Sequence, residues 1–184
     1  MRGMFARIVA IGLVAGLGVA GAAQAQSVGR WDGAYGGLGL GYGNFDSDSA
    51  LTGNADGFIG GAFLGYQRDY GDWVLGGEVA YDTGDADFDG GGKVDEFWRL
   101  KLRVGRDYGR TLIYGVGGIA QAEARVGGID RDETGWFIGA GAERAMTDRL
   151  SVGTEVLYDS IDDLGGPGND VDGVTIQVRA TLRF

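Results

Sequence analysis

Residues 174–184 alternate without a break. Val174, Ile176, Val178, Ala180, Leu182 and Phe184 are apolar, while Thr175, Gln177, Arg179, Thr181 and Arg183 are polar. A period of two residues puts the two sets on opposite faces of a β-strand. Seven earlier segments repeat the pattern less strictly, separated by stretches rich in Gly and Asp. They predict strands near 31–43, 57–68, 72–82, 95–107, 110–122, 134–146 and 149–159, with the closing strand at 174–184. Each is about as long as the 9–11 residues a tilted strand needs to cross a bilayer. In the fourth segment Trp98, Leu100, Leu102 and Val104 oppose Arg99, Lys101 and Arg103. In the fifth, the apolar face is assigned to Leu112, Tyr114, Val116 and Ala120, against Gly115 and Gly117.

The connections alternate in length. Short ones fall at 69–71, 108–109 and 147–148, and long ones near 44–56, 83–94, 123–133 and 160–172. An even strand count with short turns on one rim and long loops on the other predicts an all-β, eight-stranded antiparallel up-and-down transmembrane barrel. The short turns and both termini then face the periplasm. Tyr42, Tyr66, Trp73, Tyr81, Trp98, Trp136 and Tyr158 fall near strand ends, with Leu, Val, Ile and Ala between them. Aromatic rings at two levels around an aliphatic band suit a lipid-facing surface. A soluble exported barrel holding an apolar ligand is the alternative, and it needs the two faces reversed.

Residues 1–25 read as a cleaved signal peptide. Arg2 and Arg7 give a positive start, Ile8–Ala23 is apolar or Gly, and Ala23-Gln24-Ala25 fits an A-x-A cleavage site. The barrel domain is then 26–184, and loss of the two arginines takes the formal charge from −10 to −12.

Composition removes several classes of chemistry. The chain has no Cys and no His, so disulfides, thiolate metal sites and the commonest general base are missing. Ser–His–Asp hydrolysis has no base here. Glycine-rich pieces such as Gly115-Val116-Gly117-Gly118 lack the strand-to-helix setting of a phosphate loop. The negative charge disfavours nucleic acid. These observations predict a protein that is not an enzyme.

With the aliphatic face toward lipid, the other face lines the interior. It carries Glu78, Arg99, Lys101, Arg103, Glu143, Glu155, Arg179 and Arg183. An eight-stranded barrel is about wide enough for side chains to fill. A plug of ion pairs is the structural reading and a narrow pore the transport reading. Closing the loop at 83–94 symmetrically pairs position 82 with 95, which sets Glu78 opposite Arg99; Glu155 is expected to meet Arg179.

The opening Trp31-Asp-Gly-Ala-Tyr-Gly-Gly-Leu-Gly-Leu-Gly-Tyr-Gly resembles the first strand of the outer membrane protein β-barrel domain family, the small porin-like and opacity-type surface proteins of Gram-negative bacteria. Trp98-Arg-Leu-Lys-Leu-Arg-Val-Gly, Tyr114-Gly-Val-Gly-Gly-Ile-Ala, Gly135-Trp-Phe-Ile-Gly-Ala-Gly-Ala-Glu and the final Arg-Phe extend the likeness over nearly the whole mature chain. The resemblance implies an outer-membrane location, contact with lipid and lipopolysaccharide, and Phe184 as the terminal signal read by the barrel-assembly machinery. It implies fold and place better than activity.

Most of the 26 acidic residues lie in the four long loops or at their edges, Asp82 and Asp159 among them. Exposed loops carry such charge for solubility. Carboxylates at the outer rim also suit divalent-cation bridges to lipopolysaccharide, or contact with an extracellular ligand. Within the second loop Asp85, Asp87, Asp89, Gly91 and Glu96 fit D-x-D-x-D-G-x5-E, the pattern that wraps one Ca²⁺ in an EF-hand. The flanking segments are predicted strands, where an EF-hand has helices.

Overall fold

Three tight turns lie on one rim, and each has a local reason. Tyr70 N–H bonds Trp73 C=O at 2.8 Å and Tyr108 N–H bonds Thr111 C=O at 2.9 Å. Gly71 (φ 95°) and Gly109 (φ 77°) supply the left-handed residue at the first two turns. Asp69 and Asp107 accept from the N–H of those glycines at 2.8 and 2.6 Å. At the third turn the Thr147 hydroxyl accepts from Leu150 N–H at 2.9 Å.

The computed structural model describes residues 29–47, 55–88, 93–126, 129–161 and 171–184. The signal-peptide segment 1–25 lies outside them. The described chain contains eight strands and no helix: β1 (Gly33–Ser47), β2 (Ala55–Asp69), β3 (Trp73–Phe88), β4 (Lys93–Asp107), β5 (Thr111–Val126), β6 (Ile129–Ala145), β7 (Leu150–Ile161) and β8 (Val171–Arg183). They close in sequence order, each antiparallel to the next, with β8 returning to β1. Following ladder partners once round the ring from Tyr35 leads back to Phe45, ten residues further along β1. A stagger of that size tilts the strands by about 40°.

The strands outrun their expected ends at the long-loop rim. There the sequence mixes Asp and Gly with scattered apolar residues, so hydropathy has no regular alternation to report, yet the backbone ladder continues. Two irregularities interrupt it, between Thr83 and Ala86 on the β3–β4 seam and between Val94 and Glu96 on the β4–β5 seam.

Burial alternates along the strands. Leu38, Leu40, Phe58, Leu102 and Ile176 point out, and Tyr35, Glu78, Arg99 and Phe137 point in. β5 reverses the expected faces: Leu112, Tyr114, Val116 and Ala120 are buried inside, while Ile113 and Ile119 are exposed. From Leu112 to Ala120 this strand is apolar or Gly on both faces, so its own period is silent there. Register against β4, with Gly105 beside Tyr114 and Val104 beside Gly115, decides which way it faces. Trp31 also departs from expectation. It precedes β1 and lies fully buried across the mouth at the short-turn rim, its indole N–H reaching Asp107 Oδ1 at 3.0 Å and Gly109 C=O at 3.3 Å.

Candidate functional site: the charged interior

Ten ionisable side chains form the interior network among the described residues: Arg99, Lys101, Arg103, Arg179 and Arg183 against Glu78, Asp82, Glu143, Glu155 and Asp159. All are nearly inaccessible to solvent. They stack in three levels along the axis.

Nearest the long loops, Arg99 bridges two strands. Its Nη1 lies 2.7 Å from Asp82 Oδ2. Its Nε and Nη2 grip the two oxygens of Asp159, each at 3.1 Å, a fork-on-carboxylate geometry that fixes direction as well as charge. Gln177 Nε2 supports Asp82 at 3.3 Å.

At mid-barrel Arg179 spans the two glutamates, reaching Glu78 Oε2 and Glu155 Oε2 at 2.6 Å each. Lys101 Nζ spans the same two, at 2.6 Å from Glu155 and 3.4 Å from Glu78. The Tyr35 hydroxyl donates to Glu78 at 3.0 Å, and the Tyr114 hydroxyl to Glu155 at 2.9 Å. Below them Glu143 takes Arg103 Nη2 at 3.1 Å, Arg183 Nη2, and the Ser151 hydroxyl. Several guanidinium groups also rest on rings: Arg103 lies 3.9 Å from the Tyr114 centroid, Arg179 3.8 Å from Phe63 and Arg183 4.3 Å from Trp31. Such stacking satisfies a cation from above while carboxylates hold its edge.

The structure thus brings together all eight interior residues named from the sequence, with one pairing corrected. Glu78 faces Lys101 in the ladder, and Arg99 faces Ala80. Asp82 pairs with Phe97 in place of Asp95, so the register sits two residues from the symmetric one. The irregularity at Thr83–Ala86 means the hairpin does not close symmetrically over 83–94. A shift of two keeps every charge inside and changes its neighbour. Glu155 and Arg179 do meet, along a diagonal: the ladder partner of Glu155 is Gln177.

Asp82 and Asp159, assigned to loop edges from the sequence, are buried partners of Arg99. A signal for them exists. Glu78-Val-Ala-Tyr-Asp82 and Glu155-Val-Leu-Tyr-Asp159 are one pattern written twice. The repetition is structural as well. Tyr35, Gly65 and Glu78 occupy one rung across β1–β3, and Tyr114, Gly141 and Glu155 one rung across β5–β7. In both, the glycine leaves room for the tyrosine ring, which a Cβ would strike.

The calcium pattern has a different fate. Asp85 and Asp87 belong to β3 and Glu96 to β4, while Asp89 and Gly91 lie outside the described residues. Thr83 pairs with Glu96 and Asp87 with Lys93. The described part of the pattern is therefore strand ladder, and the remainder of the calcium expectation falls outside the described residues. Phe184 ends the closing strand at the short-turn rim, its N–H bonded to Ala34 C=O at 3.1 Å and its side chain 81% exposed.

A family profile described as the outer membrane protein β-barrel domain matches residues 12–184. No curated protein matches the chain in sequence. Among solved structures it is similar to Ail, the attachment invasion locus protein of Yersinia pestis, at 18% identity and a TM-score of 0.55, covering 83% of this chain and 99% of that one. It is also similar to Neisserial surface protein A, at 16% identity and a TM-score of 0.56, covering 83% and 100%. At these identities the likeness is one of fold.

Proposed function

Since the chain belongs to the outer membrane protein β-barrel domain family and resides in the outer membrane, we propose that it is a non-catalytic envelope protein with a closed interior and an acidic outer rim that engages lipopolysaccharide. The observation that carries the closed interior is the network itself. Five cations and five carboxylates bond one another at all three levels. Moving a hydrated ion through would mean parting buried pairs, each separation costing several kcal/mol.

The rim reading rests on register. Beyond the outer aromatic level Asp46 pairs with Asp172, Asp56 with Asp87, Glu96 with Glu123 and Glu123 with Asp132. Like charges directly opposite destabilise a sheet, and divalent cations shared with lipid phosphates relieve that repulsion. Ail has been crystallised with the heparin analogue sucrose octasulfate. A polyanion of that kind would meet carboxylates at this chain's rim through bridging cations, beside the basic residues Lys93, Arg125 and Arg131. The same rim is the surface offered for adhesion to an extracellular ligand.

Planar-bilayer recording of the refolded barrel tests the closed interior: no unitary steps are expected. The rival is a narrow porin. It draws on Gln67, Thr181 and Arg183, which hold buried polar atoms without a protein partner and so invite water. Reproducible steps that grow in Arg99→Ala establish that rival. For the rim, magnesium is expected to raise the unfolding temperature in lipopolysaccharide-containing bilayers and to lose that effect in Asp46→Asn/Asp56→Asn/Glu123→Gln.

A further inference from the structure

The lipid-facing surface is not uniform. A groove of about 530 Å³ crosses β8, β1, β2 and β3 on the outer-leaflet side. Its floor is Gly60, on the rung Val178–Leu40–Gly60–Thr83. Its upper wall is the next rung, Ile176–Tyr42–Phe58, where the Tyr42 and Phe58 rings meet edge-on at 5.5 Å. Leu40 and Phe58 stand out from the wall, 74% and 80% exposed, with the gap between them. The matched rung of the second half fills the same place. There Ile119 and Ser160 flank Trp136, whose ring packs on Tyr158 at 6.0 Å. One wall of the barrel therefore carries a large ring at the position where the other is left open.

We propose that this groove seats one acyl chain of an outer-leaflet lipid. Three observations select that occupant. The groove lies in the face that meets the hydrocarbon region, its side-chain lining is apolar apart from Thr83 and the Tyr42 hydroxyl, and it is open along its length, as a chain lying against the wall requires. It also opens beneath the rim. Tyr42 donates its hydroxyl to Asp56 directly above it, at the level where a headgroup sits and its chain begins to descend. Lipopolysaccharide and phospholipid share that hydrocarbon chain, and the test separates them. The seat adds a specific site to the rim contact proposed above and does not depend on cations.

Gly60→Leu fills the groove. Its φ lies outside the left-handed region, and a Cβ there meets only Leu40 Cδ2 at 3.1 Å and Gly39 C=O at 3.8 Å, the nearer being the movable end of a side chain. Ala140→Leu, on the exposed face of β6, is the control. The three proteins are extracted from native outer membranes in mild detergent, and their heat-modifiable mobility is checked. Native mass spectrometry then reads retained lipid, before and after chelation of divalent cations. A single lipid adduct is expected on wild type and Ala140→Leu, surviving chelation and falling about tenfold in Gly60→Leu. Its mass names lipopolysaccharide or phospholipid. Equal adducts on all three, none on any, or an adduct that chelation strips from every variant overturns the seat. A dimer that only Gly60→Leu disperses overturns it too, since a second copy is then the occupant. Loss on chelation bears on the rim; loss in Gly60→Leu bears on the groove.

Discussion

Arg99 holds two carboxylates from opposite walls, so its loss leaves Asp82 and Asp159 facing each other without a cation. Removing one member of a buried network costs about 3–5 kcal/mol. Arg99→Ala is therefore expected to lower the urea midpoint of the refolded barrel, read by band shift on cold gels. Arg99→Met with Asp82→Leu and Asp159→Leu is expected to recover most of that loss, because apolar replacements of similar size need no partner. Gly141 makes a steric counterpart. A Cβ there strikes the Tyr114 ring and the Thr154 carbonyl, so Gly141→Val is expected to destabilise by about 1–3 kcal/mol. Tyr114→Ala in the same chain should return part of it by opening the space.

At the level of single elements, the closing strand from Val174 and β4 from Trp98 to Val104 are legible at once, because each alternates charged, amide or hydroxyl side chains against apolar ones without a break. β5 is not. From Leu112 to Ala120 it has no polar residue on either face, and only its neighbours orient it. Asp82 and Asp159 were hidden differently: an aspartate at the end of an apolar run reads as the start of a loop, whereas the strands run on past it. What gives them away is parity, since each lies four residues beyond an inward glutamate. The β3–β4 register was out of reach for another reason. It depends on an irregularity of backbone, and hydropathy carries no trace of which residue is skipped. The two halves share the Glu-Val-x-Tyr-Asp strand yet differ at its neighbours, Lys101 on β4 standing where β8 has Gln177. Because Lys101 touches both glutamates, Lys101→Gln makes the halves alike at that rung. It is expected to destabilise the barrel about as much as Arg99→Ala.

Over the whole molecule, the barrel inverts a soluble protein: its outer face is aliphatic and its centre is ionic. The levels of that centre differ in sign. Arg103 and Arg183 share Glu143 near the periplasm, the middle level is balanced, and two aspartates share Arg99 near the loops. Trp31 closes the other end, and its burial gives the protein a built-in optical reporter. The chain has four tryptophans. Trp73, Trp98 and Trp136 are 55%, 43% and 49% exposed on the lipid-facing surface, and Trp31 is 0% exposed inside the mouth. Bilayers whose acyl chains carry bromine quench indoles they touch, so three of the four emissions should fall while the fourth persists. With Trp73, Trp98 and Trp136 all replaced by Phe, the remaining light comes from the periplasmic seal alone. Its wavelength and its accessibility to iodide then follow the opening of one end of the barrel in real time.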